Sequence, residues 1–240
     1  MCTVTYVPLV ADAGGFILTH NRDEAPSRSP EDISRIKNSR GDVLICPRDT
    51  RAGGTWIATS RSGKTACLLN GAFVKHPHHP PYRRSRGLLL LDFFDWESPD
   101  DFFQGYDLEG IEPFTLLFFE KNRVAELRWD GLMRHLKNLA PDATHFWCSA
   151  TLYPPDMQVR REQVFRQWLL SKRNMPPQQL LLHLHRTGSV GDPENDFVMN
   201  RSGRVCTVSI TQVVCKNDRA AMRYHDLLGD GRSSRRLNWG

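Results

Sequence analysis

With 240 residues, 40% of them apolar, the chain is long enough for one substantial hydrophobic core and is read as a single domain spanning residues 1–240. Lys and Arg outnumber Asp and Glu by 32 to 27, a formal charge of +5. The clusters Arg83, Arg84 and Arg86, then Arg232, Arg235 and Arg236, lack the interleaved aromatics of a nucleic-acid surface, so solvated faces and a loose tail are expected and no nucleic acid partner.

In chain order, TVTYVPLV, the turn ADAGG and FILTH read as a hairpin starting at the first residue, and the polar stretch NRDE follows its second strand. Residues 25–50, rich in Pro, Ser, Arg and Asp, read as a long connection with one short strand at VLIC. TWIATS, RSG and KTACLLN repeat the hairpin pattern and end at Asn70, and KHPHHPPYRRSR, with no apolar period, is a loop. Helices are predicted through GLLLLDFFDW and SPDDFFQGY, the latter with Ser98 as N-cap, Pro99 at the first helical position and acids in the first turn. FTLLFFEKNRVAELRWDGLMRHL divides into three strands at KN and DG, and HFWCSATL is a further strand. VRREQVFRQWLLSKR is an amphipathic helix and PPQQLLLHLHR a second one from Pro177. RVCTVSITQVV, a turn at KND and a final strand AAMRYHDL close the chain. Because strands and helices do not alternate singly, the expected class is α+β, with helices segregated onto antiparallel sheets.

No apolar run approaches the ~20 residues of a membrane span, and the first twenty residues lack a basic start followed by a long apolar stretch. No stable membrane insertion and a cytoplasmic location are therefore expected. Cys2, Cys46, Cys67, Cys148, Cys206 and Cys215 show neither CxxC pairs nor regular spacing, so no metal site and no disulfide framework is predicted. Five of them read as small buried hydrophobes. Cys2 differs by position: if Met1 is removed, the thiol gains an α-amine with a pKa of about 7.7 to 8.0 on the same residue, a built-in base. A strand ending beside the first one would bring Asn21, Arg22, Asp23 and Glu24 next to it. Asp23 is suited to hold an ammonium, Arg22 to a thiolate or a substrate carboxylate, and Asn21 to donate or accept; ordinary turn chemistry and an Arg22–Glu24 surface pair account for the same residues.

A Met-Cys start, NRDE after the second strand, GGTW at residues 53–56 and a strand ending LLN together resemble the NRDE, or transport and Golgi organisation, family. That family is similar to the N-terminal nucleophile hydrolases, in the branch of bile salt hydrolases and penicillin V acylases. The resemblance implies a four-layer αββα sandwich, Cys2 as nucleophile and base, Asp23 orienting its amine, and Asn70 as oxyanion donor. It also places Arg204 near the family's late arginine. Ala150 stands where relatives carry an asparagine, and Arg22 sits one place from the hydrolases' arginine, two departures from the hydrolase pattern. Gly53 and Gly54 permit a tight backbone, and Trp56 begins a buried strand beside the expected substrate site.

The activity implied is hydrolysis of a non-peptide or cyclic C–N amide through a Cys2 thioester, without a cofactor, in a cleft between the His76, His78 and His79 loop and the ends of the first strands. The alternative is a carrier of haem or a small hydrophobic ligand, with His76, His78, His79, His183, His185 or Cys46 as axial ligands. Those histidines read more simply as surface residues, His183 and His185 pointing in different directions on one helix. A trafficking role draws only on the family name. The partner is thus a small-molecule ligand or amide substrate, and the oligomeric state is open.

Overall fold

The segment Phe16–Glu24 reads FILTHNRDE, without the two-residue alternation of a half-exposed strand, and all but its last residue are buried. A strand covered on both faces needs a layer above and a layer below. The computed structural model describes residues 2–9, 14–28, 33–49, 51–171, 175–217, 219–229 and the backbone of 234–238. Met1, most of the ADAGG turn, Lys172, Arg173, Asp218 and Arg232 lie outside the described residues.

The strands are β1 (Cys2–Pro8), β2 (Phe16–Glu24), β3 (Ile33–Lys37), β4 (Val43–Pro47), β5 (Ile57–Ser60), β6 (Thr65–Asn70), β7 (Phe114–Glu120), β8 (Arg123–Trp129), β9 (Arg134–Leu139), β10 (His145–Cys148), β11 (Asn200–Arg201), β12 (Val205–Lys216), β13 (Arg219–Asp226) and β14 (Ser234–Asn238). The helices are α1 (Arg86–Asp95), α2 (Pro99–Gly105), α3 (Pro155–Ser171) and α4 (Pro177–Thr187). One sheet runs β10-β1-β2-β12-β13-β14, with β11 beside β12; the other runs β3 to β9 in sequence order, and neighbouring strands are antiparallel.

Alternation along each strand then assigns the layers. Val4, Tyr6, Phe16 and Leu18 face Ile57, Cys67, Leu69, Leu117 and Phe119 across the sheet-to-sheet interior. Ile17, on the opposite face of β2, packs with Phe165 of α3 and Leu181 and Leu184 of α4. Ala66 and Leu68 pack outward with Leu89, Leu90 and Phe93 of α1 and with Phe102 and Phe103 of α2. The result is the expected αββα sandwich. Burying a side chain such as Phe118 or Leu181 contributes roughly 1.5–3 kcal/mol, so each layer is held mainly by its apolar face. Helix starts are local: the Ser85 hydroxyl accepts from the Leu88 N–H, and the Ser98 hydroxyl from the Asp101 N–H as predicted.

Three expectations need correction. Residues 25–50 contain a hairpin, β3 with β4, rather than one short strand; ISRIK, the edge strand of its sheet, has only two apolar residues, Ile33 in the sheet-to-sheet interior and Ile36 against the α1 and α2 layer. The strand predicted through HFWCSATL stops at Cys148, since the chain turns there, the Ser149 carbonyl accepting from the Leu152 and Tyr153 N–H groups. AAMRYHDL is not the last strand: β14 pairs with β13, so Arg235 and Arg236 belong to a strand instead of a loose tail. Among the described residues no helix is long and apolar enough to cross a membrane.

Candidate active site

Cys2, the first residue of β1, pairs in register with Arg22 of β2. Paired residues share a face, so thiol and guanidinium both point between the sheets. Asp23 is one step further along β2. The same step turns the Asp23 side chain to the helix face. There Thr207 donates its hydroxyl to Oδ1 at 2.7 Å and Tyr153 donates to Oδ2 at 3.1 Å. Burial pushes the Asp23 carboxyl up; the Thr207 hydrogen bond and the charge of Arg161 oppose that. Burial likewise pushes the Cys2 thiol up, Asp23 adding to the shift and Arg22 opposing it. Burial raises Cys46 to about 11 and Cys148 to about 12 and lifts Cys67 as well, which leaves these thiols largely protonated at neutral pH.

Arg22 is fixed from three sides. It donates to Asp49 Oδ2 at 2.8 Å and to the Arg28 carbonyl, and its guanidinium lies 4.1 Å from the centre of the Trp56 ring. Arg28 binds the same Asp49 oxygen at 2.6 Å and Glu24 at 3.0 Å. The expected Arg22–Glu24 pair is therefore replaced by an Arg22–Asp49–Arg28–Glu24 chain.

Asn70 closes β6, its carbonyl accepting the Ser149 hydroxyl at 2.7 Å. Gly71 follows with φ +80°, and a Cβ there would lie 2.8 Å from the Thr151 methyl and 3.5 Å from that of Ala150. Ala150 thus packs behind the Asn70–Gly71 turn.

Cys2, Arg22, Trp56, Leu68 and Asn70 line a cleft of about 370 Å³ together with His78, Tyr82, Arg84, Arg86 and Glu112. The loop of residues 75–86 is anchored there by Glu112, which lies 3.1 Å from His76 Nε2, 3.2 Å from His78 Nδ1 and 2.8 Å from Arg86. His79 uses its backbone N–H on the Tyr82 hydroxyl. Gly54 explains how α1 comes so near: a Cβ there would stand 2.5 Å from the Gly87 backbone, and the Thr55 N–H donates to the Gly87 carbonyl. The GGTW stretch is thus a close-packing device between strand and helix as well as a core entry.

The remaining sequence candidates fall elsewhere. Asn21 faces the helices, fully buried, donating to the carbonyls of His185 and Phe197 at 3.0 and 2.7 Å, so it belongs to the frame and not to the cleft wall. Arg204 is exposed in the turn before β12, outside the cleft. His185, read as a surface residue, is completely buried, its ring nitrogens 2.8 Å from the Thr5 hydroxyl and 2.6 Å from Asn21 Oδ1. His183 packs against Trp168 with tilted rings, 5.0 Å between ring centres. Cys46 is buried in β4 beneath the α1 and α2 layer. Among the described residues no group of three or more His, Cys, Asp and Glu is arranged to hold a metal ion.

Sequence reasoning missed Asp49, Arg86, Glu112 and Arg161. Arg161 is fully buried on α3, between the Tyr153 and Phe197 rings at 4.1 and 4.7 Å, and donates to the Thr3 hydroxyl at 2.6 Å and to the Asn195 and Asp196 carbonyls. It sits among polar helix residues, and nothing in VRREQVFRQW singles it out.

Two facing antiparallel sheets between helix layers, with a cysteine at the head of an inner strand, define a protein of the N-terminal nucleophile hydrolase fold. Solved structures agree: the Caenorhabditis elegans ortholog of N-acylethanolamine-hydrolyzing acid amidase (TM-score 0.59, 14% identity, covering 89% of this chain and 92% of that one) and penicillin V acylase from Agrobacterium tumefaciens (0.60, 9%, 99% and 86%). A variant of the conjugated bile acid hydrolase from Clostridium perfringens is similar to the same degree (0.60, 8%, 99% and 92%). At these identities the likeness is one of fold. The sequence model for Transport and Golgi organisation 2 matches residues 1–210, and the chain belongs to that family. The Transport and Golgi organization 2 homolog of Mus musculus is 32% identical over 88 residues, a match spanning 36% of this chain and 30% of the mouse protein.

Proposed function

We propose that the protein is a cysteine amidohydrolase that cleaves the C–N bond of a small non-peptide or cyclic amide through Cys2. The observation that carries this reading is the meeting of Cys2 and Asn70 in one cleft, with Asp23 at the next register position on β2. Once Met1 is removed, the α-amine of Cys2 takes the thiol proton, and Arg22 alongside favours the thiolate. Sulfur attacks the carbonyl carbon, a C–S bond forms, and the carbonyl electron pair moves onto oxygen, where the Asn70 amide donates. Collapse breaks the C–N bond as the ammonium returns its proton to the departing nitrogen. Water, deprotonated by the same amine, then attacks the thioester; the acid leaves and the thiol is restored. Asp23, held by Thr207 and Tyr153, orients the ammonium. A volume of about 370 Å³ suits a small ligand. The amidase, acylase and hydrolase named above share this fold, and extending their kind of reaction to this chain is part of the proposal.

The test combines intact mass of the untagged protein, limiting iodoacetamide and a panel of N-acyl amides. Loss of Met1, alkylation of Cys2 ahead of the other cysteines, and turnover abolished in Cys2→Ala are expected. Retained Met1, or a Cys2→Ala variant as active as the parent, overturns the reading. Retained Met1 would direct attention to the carrier of haem or a small hydrophobic ligand. The feature in favour of that second reading is His78, which lines the same cleft as Arg84 and Arg86. Its check is a haem absorbance shift at micromolar protein that disappears in His78→Ala.

A further inference from the structure

A second cleft, of about 650 Å³, is enclosed by the β3–β4 turn, the β5–β6 turn and the end of α1. Four cations converge on it: Arg40 from the first turn, Arg61 and Lys64 from the second, and Arg219 from the start of β13 in the other sheet. Among the described residues none of the four side chains has an ion-pair partner or a hydrogen bond. The carboxylates lining the cleft are Asp42, which already engages Asn38, and Glu97. The cleft wall therefore carries an excess of two positive charges. Its floor is apolar, formed by Leu44, Phe93, Phe94 and the half-buried Trp96.

We propose that this cleft binds an organic phosphate, a phosphate monoester on an apolar or aromatic body. Like charges brought together by separate turns repel one another unless a counter-ion joins them. A phosphate monoester carries about −1.5 to −2 at neutral pH, which matches the excess. Guanidinium groups meet phosphate oxygens through paired N–H donors, and three of the four cations are arginines. The Ser62 hydroxyl, 2.9 Å from Ser60 Oγ on the β5–β6 turn, adds a neutral donor to the same wall. The aromatic floor supplies contact area for the alcohol portion, which inorganic phosphate lacks. Nothing in this inference depends on Cys2, which lines the other cleft.

The test is calorimetric titration of the full chain with 1-naphthyl phosphate, with inorganic phosphate and neutral 1-naphthol as comparisons. One saturable site is expected, weakened by raising the salt. Arg61→Ala combined with Lys64→Ala should weaken it at least tenfold. Trp96→Leu should weaken the naphthyl ester but not inorganic phosphate, while Cys2→Ala binds like the parent. The cations are turn residues, and unchanged melting temperatures would show that the variants fold. Absence of saturable binding, equal affinity for 1-naphthol, or an unaffected Arg61/Lys64 double variant overturns the proposal. So does binding that Cys2 alkylation abolishes, because the ester would then occupy the first cleft.

Discussion

In the Cys2 cleft each arginine has a carboxylate: Arg22 and Arg28 meet at Asp49, Arg84 is paired with Asp92, and Arg86 with Glu112. In the cleft beside Trp96, Arg40, Arg61, Lys64 and Arg219 have none among the described residues. The same residue types serve two purposes. A paired guanidinium is a fixed strut whose field its carboxylate largely offsets at a distance, which suits the neutral amide proposed above. An unpaired cation keeps its field for a ligand of opposite sign.

The sharpest way to probe the paired cleft is its neutral donor. Asn70→Ala should lower kcat for an amide substrate by roughly 100- to 1000-fold while the rate of Cys2 alkylation stays unchanged, because in the proposed reaction the side chain acts on the developing oxyanion and not on the thiol. Equal losses in turnover and alkylation would show that Asn70 only supports the fold.

Next in size is removal of the strut. Asp49→Asn keeps the shape but leaves the buried Arg22 without its carboxylate, and should cost about 3 kcal/mol by urea unfolding. Burial pushes the Asp49 carboxyl up, but the Ala52 N–H and the Arg28 and Arg22 guanidinium groups more than offset this, so it lies below the usual carboxylate range. A depressed folded value means that this stabilisation is present above pH ~4 and is lost as pH falls through the lowered value. Parent and Asp49→Asn stabilities should therefore converge in acid.

A smaller effect comes from His20, one residue pair along β2 from Arg22 and fully buried. Burial lowers its imidazole to about 3, with the positive charges nearby contributing. The unfolded chain protonates this residue below about pH 6.5, whereas the folded one does not until about 3. Stability should fall as pH drops below 6.5, by about 2 kcal/mol at pH 5 from this residue alone. His20→Phe should show a correspondingly smaller loss between pH 7 and pH 5 in urea midpoints. An equal loss would assign the acid sensitivity to His185 and His225, which burial also holds low.

The smallest expected effect is at Arg204. Because it is exposed and outside both clefts, Arg204→Ala should change stability by no more than about 0.5 kcal/mol and leave Cys2 alkylation unaltered. A tenfold fall in turnover would restore the role that the family resemblance implied.

What the sequence determined by itself is what short stretches decide. Ser98 caps α2 through the Asp101 N–H three residues on, and the turns at Asn122 and Gly131, with φ of 58° and 104°, divide the meander where KN and DG predict. Cys2 and NRDE meet because one hairpin joins them, and the unbroken apolar and polar mixture of β2 reflects burial on both faces. The tertiary structure decided the rest. One register step sends Asp23 and Asn21 to the helix face while Arg22 stays with Cys2. The partners that then define each role are remote: Thr207 is 184 residues from Asp23, Arg161 is 158 from Thr3, and Ser149 is 79 from Asn70. Local pattern carries turn chemistry and periodicity, but a side chain's charge and hydrogen-bond state depend on groups brought to it only when the layers pack.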